Sequence, residues 1–492
     1  MSMRRTEPSR QQPHRAGFWS LSLAVLTGPR GRWYGAAVHV ALHKRSSYSL
    51  SNDLPSCFTA SGCLVTGAAI LTLYAVCVLS LCADAGAVSS ETDPRPLSRL
   101  VHEFLETEDA DHAKQVLSEI LKNPQADPTR VETIIRAGLP YGARPVGMQA
   151  GVPIRVRNHT YRYGLYVPVS YRPTKDYALV ICLHGAGFTG DAYLERWQAR
   201  LGDDYILACP TFVQGAWWTR QAEELVLATI RAVQARYRID PDRIFLTGMS
   251  NGGIGAWIIG SHHASRFAGL SPMASGLDQV LYPFLENLRH TPIYLIHGLK
   301  DQVMPVELSR SIAKELTRLG YAFVYREHDR VHSVAGGHYF PREELPELVA
   351  WFGARRREPF PKKVTVVRDA SHLVPFGWVR IDATDRIAAL SENLTDSRDE
   401  TIINRIYAKL DAEIAAPNRV EVHTQRVRRY SLFLNHWLVD LSKPITVVTD
   451  GRLSYEGPVA PSVETLLRES RTRQDRHMLF PVLLSLSVED QP

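Results

Sequence analysis

The sequence predicts an α/β fold, a mostly parallel sheet of eight strands covered by helices on both faces, followed by a smaller all-β, sandwich-like unit. Three observations carry this. Between residues 150 and 357 short apolar runs alternate with stretches of helical length and period. A Gly-x-Ser-x-Gly turn, Gly248 to Gly252, joins one of those runs to a helix-like stretch. Beyond a charged, proline-containing segment near Arg355 to Pro361 the apolar period changes to two, as in strands.

At 492 residues the chain exceeds what one core holds, so at least two packed units are expected. Apolar residues at 45% and charged residues at 22% lie near globular averages. The net charge of +6 comes from the first fifty residues, where eight Lys/Arg face one acid, Glu7, so the remainder is close to −1. A near-neutral body lacks the clustered basic face that a nucleic-acid partner requires.

Residues 1–85 read as a leader. The run from Leu54 to Ala83 is uncharged, follows His43, Lys44 and Arg45, and ends at Ala83-Asp84-Ala85, small residues of the kind a signal peptidase needs. Its apolar core is also long enough to span a bilayer, so a cleaved signal peptide and an uncleaved anchor are the two expectations, and membrane contact is expected only through such an anchor. Leu79-Ser80-Leu81-Cys82 resembles a lipoprotein box except for the bulky Leu81. Four of six cysteines fall in this leader, leaving Cys182 and Cys209, which read as small core residues rather than a disulfide or metal framework.

From 90 to 148 the spacing of Leu97, Val101 and Phe104, then Val116, Leu117 and Ile120, predicts two or three short helices. Residues 150–357 form the α/β unit. Ile154 to Val156 and Tyr161 to Tyr166 predict a hairpin across a polar turn. Further strands are predicted at Tyr177 to Leu183, Tyr205 to Cys209, Arg243 to Thr247, Leu270 to Ala274, Ile293 to Ile296 and Phe323 to Arg326. The segment near Arg355 reads as a linker. Residues 361–492 hold six further strand-like runs, with Asp450-Gly451 as a hairpin turn, and predict an antiparallel sandwich.

The chemistry centres on Gly248-Met249-Ser250-Asn251-Gly252-Gly253, set directly after a strand and before a helix. A serine lifted out of a sheet by a tight strand-to-helix turn needs neighbours without side chains, and the turn leaves the Asn251 N–H aimed where a developing oxyanion would form. A second donor is expected from the loop after an earlier strand, where Leu183-His184-Gly185-Ala186-Gly187 places the Ala186 N–H, with His184 in a structural role. Asp301 follows the strand at Ile293 and is the expected acid, with Glu307 a competitor placed in the first turn of a helix. Three histidines, His328, His332 and His338, are candidates for the base. Glycines before His338 and an aromatic pair after it favour that residue. A metal at His328 and His332 lacks a plausible set of ligands, and neither a metal nor a cofactor is expected. Serine, acid and histidine in this chain order imply nucleophilic attack on a carbonyl, with the histidine as general base.

These motifs resemble those of extracellular polyhydroxybutyrate depolymerases, feruloyl esterases and related carboxylesterases, over roughly residues 150 to 355. The resemblance implies an α/β-hydrolase fold, a small-molecule or polymeric ester substrate, Asp301 and His338 as acid and base, and an exported protein. The sequence is also similar to hydrolases grouped with prolyl oligopeptidases, which makes peptide amides the second substrate class. A cell-surface binding protein that keeps the hydrolase unit as a scaffold is the third reading. Trp217 and Trp218 are candidates for stacking on an aromatic acyl group or a sugar, or for packing beneath a helix.

Overall fold

Three short helices open the structure: α1 (Leu97–Glu106), α2 (Ala110–Lys122) and α3 (Pro128–Ala137). Asp109 and Asp127 cap α2 and α3 by accepting backbone N–H bonds, and Pro128 occupies the first turn of α3, where its missing N–H costs nothing. The computed structural model describes residues 95–213, 215–390 and 400–488, so the expected leader lies outside the described residues. Among them no helix is long and apolar enough to cross a membrane.

The central sheet follows. Its strands are β1 (Gly147–Val156), β2 (His159–Val167), β3 (Tyr177–Leu183), β4 (Tyr205–Thr211), β5 (Ile239–Met249), β6 (Gly269–Met273), β7 (Ile293–Gly298) and β8 (Phe323–His328). Their spatial order is β1-β2-β4-β3-β5-β6-β7-β8. The hairpin β1/β2 is antiparallel, as is β2 against β4, and every remaining pair is parallel. Every residue of β3 is buried, as expected of a parallel strand covered on both faces. Its side chains alternate: Leu179, Ile181 and Leu183 join the core under α5 (Arg220–Arg236) and α6 (Asn251–His262). Ala178, Val180 and Cys182 face α4 (Gly190–Leu201) and α8 (Leu345–Gly353). Helix α7 (Val306–Leu319) packs through Ile312 and Leu316. Cys182 and Cys209 are free and buried.

Because β4 lies on one side of β3 and β5 on the other, the sheet changes its direction of growth between them. In open α/β sheets the crevice outside the carboxyl ends of strands at such a point is where ligands bind. The loop after β3 carries His184 to Gly187, and the turn after β5 carries Ser250.

The C-terminal strands are β9 (Lys363–Arg368), β10 (Val379–Thr384), β11 (Ala408–Ala416), β12 (Arg419–Gln425), β13 (Val427–Leu434), β14 (Ile445–Thr449), β15 (Arg452–Gly457) and β16 (Val482–Ser487), with a short helix α9 (Glu400–Ile403) before β11. They form a five-stranded sheet, β15-β14-β12-β11-β9, and a three-stranded one, β10-β13-β16. The Asp450-Gly451 turn joins β14 to β15, both residues at positive φ. Two features depart from the antiparallel sandwich. First, β12 and β14 pair in parallel. Arg426, at φ 57, is the single residue between β12 and β13 and sends the chain into the other sheet, so β14 returns beside β12 in the same direction. Second, helix α10 (Val463–Arg473) interrupts the strands and packs Val463, Leu466 and Leu467 against α1, α2 and α3.

The segment read as a linker carries a buried clasp at Arg357. Arg357 is 6% exposed and donates to Asp242, at the start of β5, at 2.7 Å and to Asp475, after α10, at 2.6 Å. Burial raises the Asp475 carboxyl, but the Arg357 guanidinium outweighs it and holds the group well below the usual carboxylate range. Arg357→Leu would strand two buried carboxylates, so it is expected to cost about 3–5 kcal/mol. The cost should be read as a lower urea midpoint at unchanged m. An unchanged midpoint would mean that His477, 2.7 Å from Asp242, already neutralises the site.

Candidate active site

Ser250 sits between β5 and α6 with φ 58 and ψ −125, a conformation that costs a non-glycine residue roughly 1–3 kcal/mol. The surroundings enforce it. The Ser250 N–H donates to the Met273 carbonyl at the end of β6, at 3.1 Å. A methyl group at Gly248 would stand 2.3 Å from the Gly252 carbonyl oxygen, and one at Gly252 would stand 2.1 Å from the Leu183 oxygen at the end of β3. Only glycine permits these approaches. Asn251 is the first residue of α6, where backbone N–H groups have no partner within the helix.

The loop after β3 lies alongside. A methyl at Gly185 would be 3.5 Å from Ser250 Cβ, and one at Gly215 would be 3.6 Å from Ala186 Cα and 3.5 Å from Asn251 Nδ2, so Ala186 and Asn251 both border Gly215. His184 is fully buried and braces this loop. Its Nε2 accepts the Phe212 N–H at 3.1 Å, which leaves the proton on Nδ1 to donate to the Gly185 carbonyl at 2.9 Å. Burial lowers its pKa against the opposing pull of that Gly185 carbonyl, and the ring is neutral.

Asp301 follows β7 and His338 follows β8. His338 Nδ1 donates to Asp301 Oδ2 at 2.7 Å. The other carboxylate oxygen accepts the N–H groups of Val303 and Met304, both at 2.9 Å, and His297 Nε2 stands 3.3 Å from Oδ2. The Asp301 side chain is shut off from solvent. Burial pushes its carboxyl up, but the His297 and His338 rings and the Met304 amide hold it far below the usual carboxylate range. Glycines again set the approach. A methyl at Gly337 would lie 2.5 Å from the Asp301 nitrogen, and one at Gly298 would lie 2.1 Å from the Gly337 oxygen.

The other base candidates are engaged elsewhere. His332 is exposed and accepts the Val334 and Ala335 N–H groups of its own loop. His328 is buried, with Nε2 on the Tyr339 carbonyl at 3.1 Å. Glu307 stands in the first turn of α7 beside Arg310, at the surface. Ser250, Asp301 and His338 thus follow the carboxyl ends of the parallel strands β5, β7 and β8, with Asp301 and His338 in direct contact.

Of the two readings for Trp217, packing beneath a helix is the one the structure shows. Trp217 is fully buried, donates to the His184 carbonyl at 2.8 Å and is wedged against α6, where a methyl at Gly255 would meet its Cβ at 2.3 Å. It is core, because its indole N–H finds its partner inside the fold. Trp218 lines a cavity with Ile258, Ser261 and His262. Those residues lie about 12–18 Å along α6 from Ser250 at 1.5 Å per residue. Sequence reasoning missed His297, which supports Asp301 from four residues upstream. The histidine in Ile296-His297-Gly298, buried at the end of a strand, was the available signal.

Sheet order, helical layers and the serine turn define an α/β-hydrolase fold. The chain is similar to esterases: it is 30% identical over 158 residues to a probable feruloyl esterase C of Aspergillus terreus, covering 30% of this chain and 56% of that one. It is 30% identical over 131 residues to acyl-protein thioesterase 1 of Gibberella zeae, covering 25% and 52%. A solved thermostable esterase aligns at 25% identity and TM-score 0.37, over 43% of this chain and 63% of the other. The chain spans about half the length of the curated relatives it matches, and no protein-family model matches it.

Proposed function

We propose that the chain is an exported serine hydrolase that cleaves carboxylic esters through an acyl-enzyme on Ser250. The observation that carries this reading is the 2.7 Å bond from His338 Nδ1 to the solvent-shielded Asp301 carboxylate, both residues following the carboxyl ends of parallel strands as Ser250 does. With Nδ1 committed to Asp301, Nε2 is the ring nitrogen left to take the Ser250 proton as the hydroxyl attacks the ester carbonyl. The Ala186 and Asn251 N–H groups receive the oxyanion. His338 then protonates the departing alcohol, and water activated by the same ring releases the acid. The similarity to feruloyl esterases makes feruloyl esters the first substrates to try. In this reading residues 1–85 direct export, 150–357 carry the chemistry and 361–492 form an accessory unit.

A fluorophosphonate probe is expected to label Ser250, read by peptide mass, and the protein should hydrolyse p-nitrophenyl acetate and methyl ferulate faster than a peptide amide. Amide cleavage with a preference for one residue type would replace the esterase by a peptidase. Absence of labelling on folded protein would reduce the unit to a binding scaffold.

A further inference from the structure

On the far side of α6 from its first turn, three segments distant in sequence bring metal-binding atoms together. Glu223 comes from α5, His262 is the last residue of α6, and His372 lies in the loop after β9. Glu223 and His262 are buried, and their ligand atoms and that of His372 lie within 4.8 Å of one another. Glu223 Oε2 is 2.9 Å from His262 Nδ1 and 3.3 Å from His372 Nε2. Around a tetrahedral zinc with bonds of about 2.0–2.1 Å, neighbouring ligand atoms stand about 3.3 Å apart.

A ring of supporting contacts surrounds these atoms. His372 Nδ1 donates to Asp369 Oδ1 at 2.6 Å, and Asp369 Oδ2 accepts the Leu390 N–H at 2.9 Å. His263 Nε2 holds the second Glu223 oxygen at 2.8 Å. A histidine whose far nitrogen donates to a carboxylate, and a carboxylate oriented by its own hydrogen bond, are the usual support of metal ligands. All three residues line a cavity of about 250 Å³, shared with Trp218, Ser261 and Phe284, which offers room for a water as fourth ligand.

The geometry points to a site for one divalent transition ion of the zinc class, held by Glu223, His262 and His372. Two imidazoles and a carboxylate suit zinc rather than calcium or magnesium, which prefer oxygen alone. The rings of His262 and His372 are stacked, centroids 3.8 Å apart. To point both lone pairs at one ion they must fan apart, into the cavity. Without the ion the same atoms form a hydrogen-bonded clasp. Either way the site ties α5 and α6 to the C-terminal β region, and it is complete only when that region is docked. A second close-set group among the described residues, Asp240, Asp242 and His477, is met by the Arg356 and Arg357 guanidiniums at 2.8 and 2.7 Å, which stand where a cation would.

The test reads binding, not turnover, and so stands apart from the esterase reading. Protein stripped with a chelator and dialysed is titrated with Zn²⁺ by calorimetry, and with Co²⁺ by visible absorption. One tight equivalent and tetrahedral Co²⁺ bands are expected, both lost in His372→Asn. Asp369→Asn, which removes only the supporting carboxylate, should weaken Zn²⁺ binding about 10- to 100-fold. No tight equivalent in the parent protein, or binding unmoved by both substitutions, overturns the site. If the variants fail to fold, the parent's Co²⁺ spectrum decides, and absence of tetrahedral bands overturns it.

Discussion

Replacing Ser250 by alanine is expected to lower kcat toward a carboxylic ester by about 10⁴- to 10⁶-fold with KM changed by less than about threefold. That loss corresponds to roughly 5–8 kcal/mol of transition-state stabilisation. The nucleophile goes, but the turn that presents it stays. Gly248, Gly252 and the Ser250 N–H bond to Met273 do not depend on the hydroxyl, and alanine tolerates φ 58 no worse than serine does. Substrate should therefore still bind, and the remaining rate over water should come from the Ala186 and Asn251 amides. A variant retaining more than about a tenth of parental kcat, with the fold intact by circular dichroism, would falsify Ser250 as the nucleophile.

How far such a site can be read from sequence depends on how local its determinants are. The elbow is local: an apolar strand, glycines at 248 and 252, and a helix behind them occupy fewer than twenty residues, and their steric logic needs no partner beyond the next strand. Interior strands of the central sheet were legible for the same reason, since an apolar run such as Tyr177 to Leu183 is buried along its whole length. Asp301 and His338, which meet at 2.7 Å, are the pair that chain order and flanking glycines single out. What escaped depends on the long-range fold. Nothing near Trp217 announces that its indole will meet the His184 carbonyl 33 residues away. The parallel pairing of β12 with β14 follows from a change of sheet at Arg426, which alternation along a strand does not encode. Arg357 reads as part of a charged linker, and only Asp242 and Asp475, more than a hundred residues away on either side, make it a buried clasp. The Glu223, His262 and His372 group is hidden in the same way.

Asp301→Asn is expected to reduce kcat near neutral pH by about 10⁴-fold, and it separates His338 from its rival His332. The asparagine can present its N–H₂ to His338 Nδ1, which turns the ring to the tautomer with its proton on Nε2, where it cannot accept the Ser250 proton. The parent's pH behaviour supplies a second reading. The Asp301 carboxyl is held far below its unfolded value near 4. A depressed carboxylate contributes stability above the unfolded value, and that contribution is lost only as pH falls through the folded one. Between about pH 5 and 9 the acid thus stays ionised, and any titration seen in kcat there belongs to another group. His332→Ala supplies the control. Among the described residues its ring accepts the Val334 and Ala335 amides of its own loop, so kcat should stay within about twofold. If Asp301→Asn instead cost less than about tenfold while His332→Ala abolished turnover, the base would be His332. The 2.7 Å contact between Asp301 and His338 would then serve only to pin one loop on another.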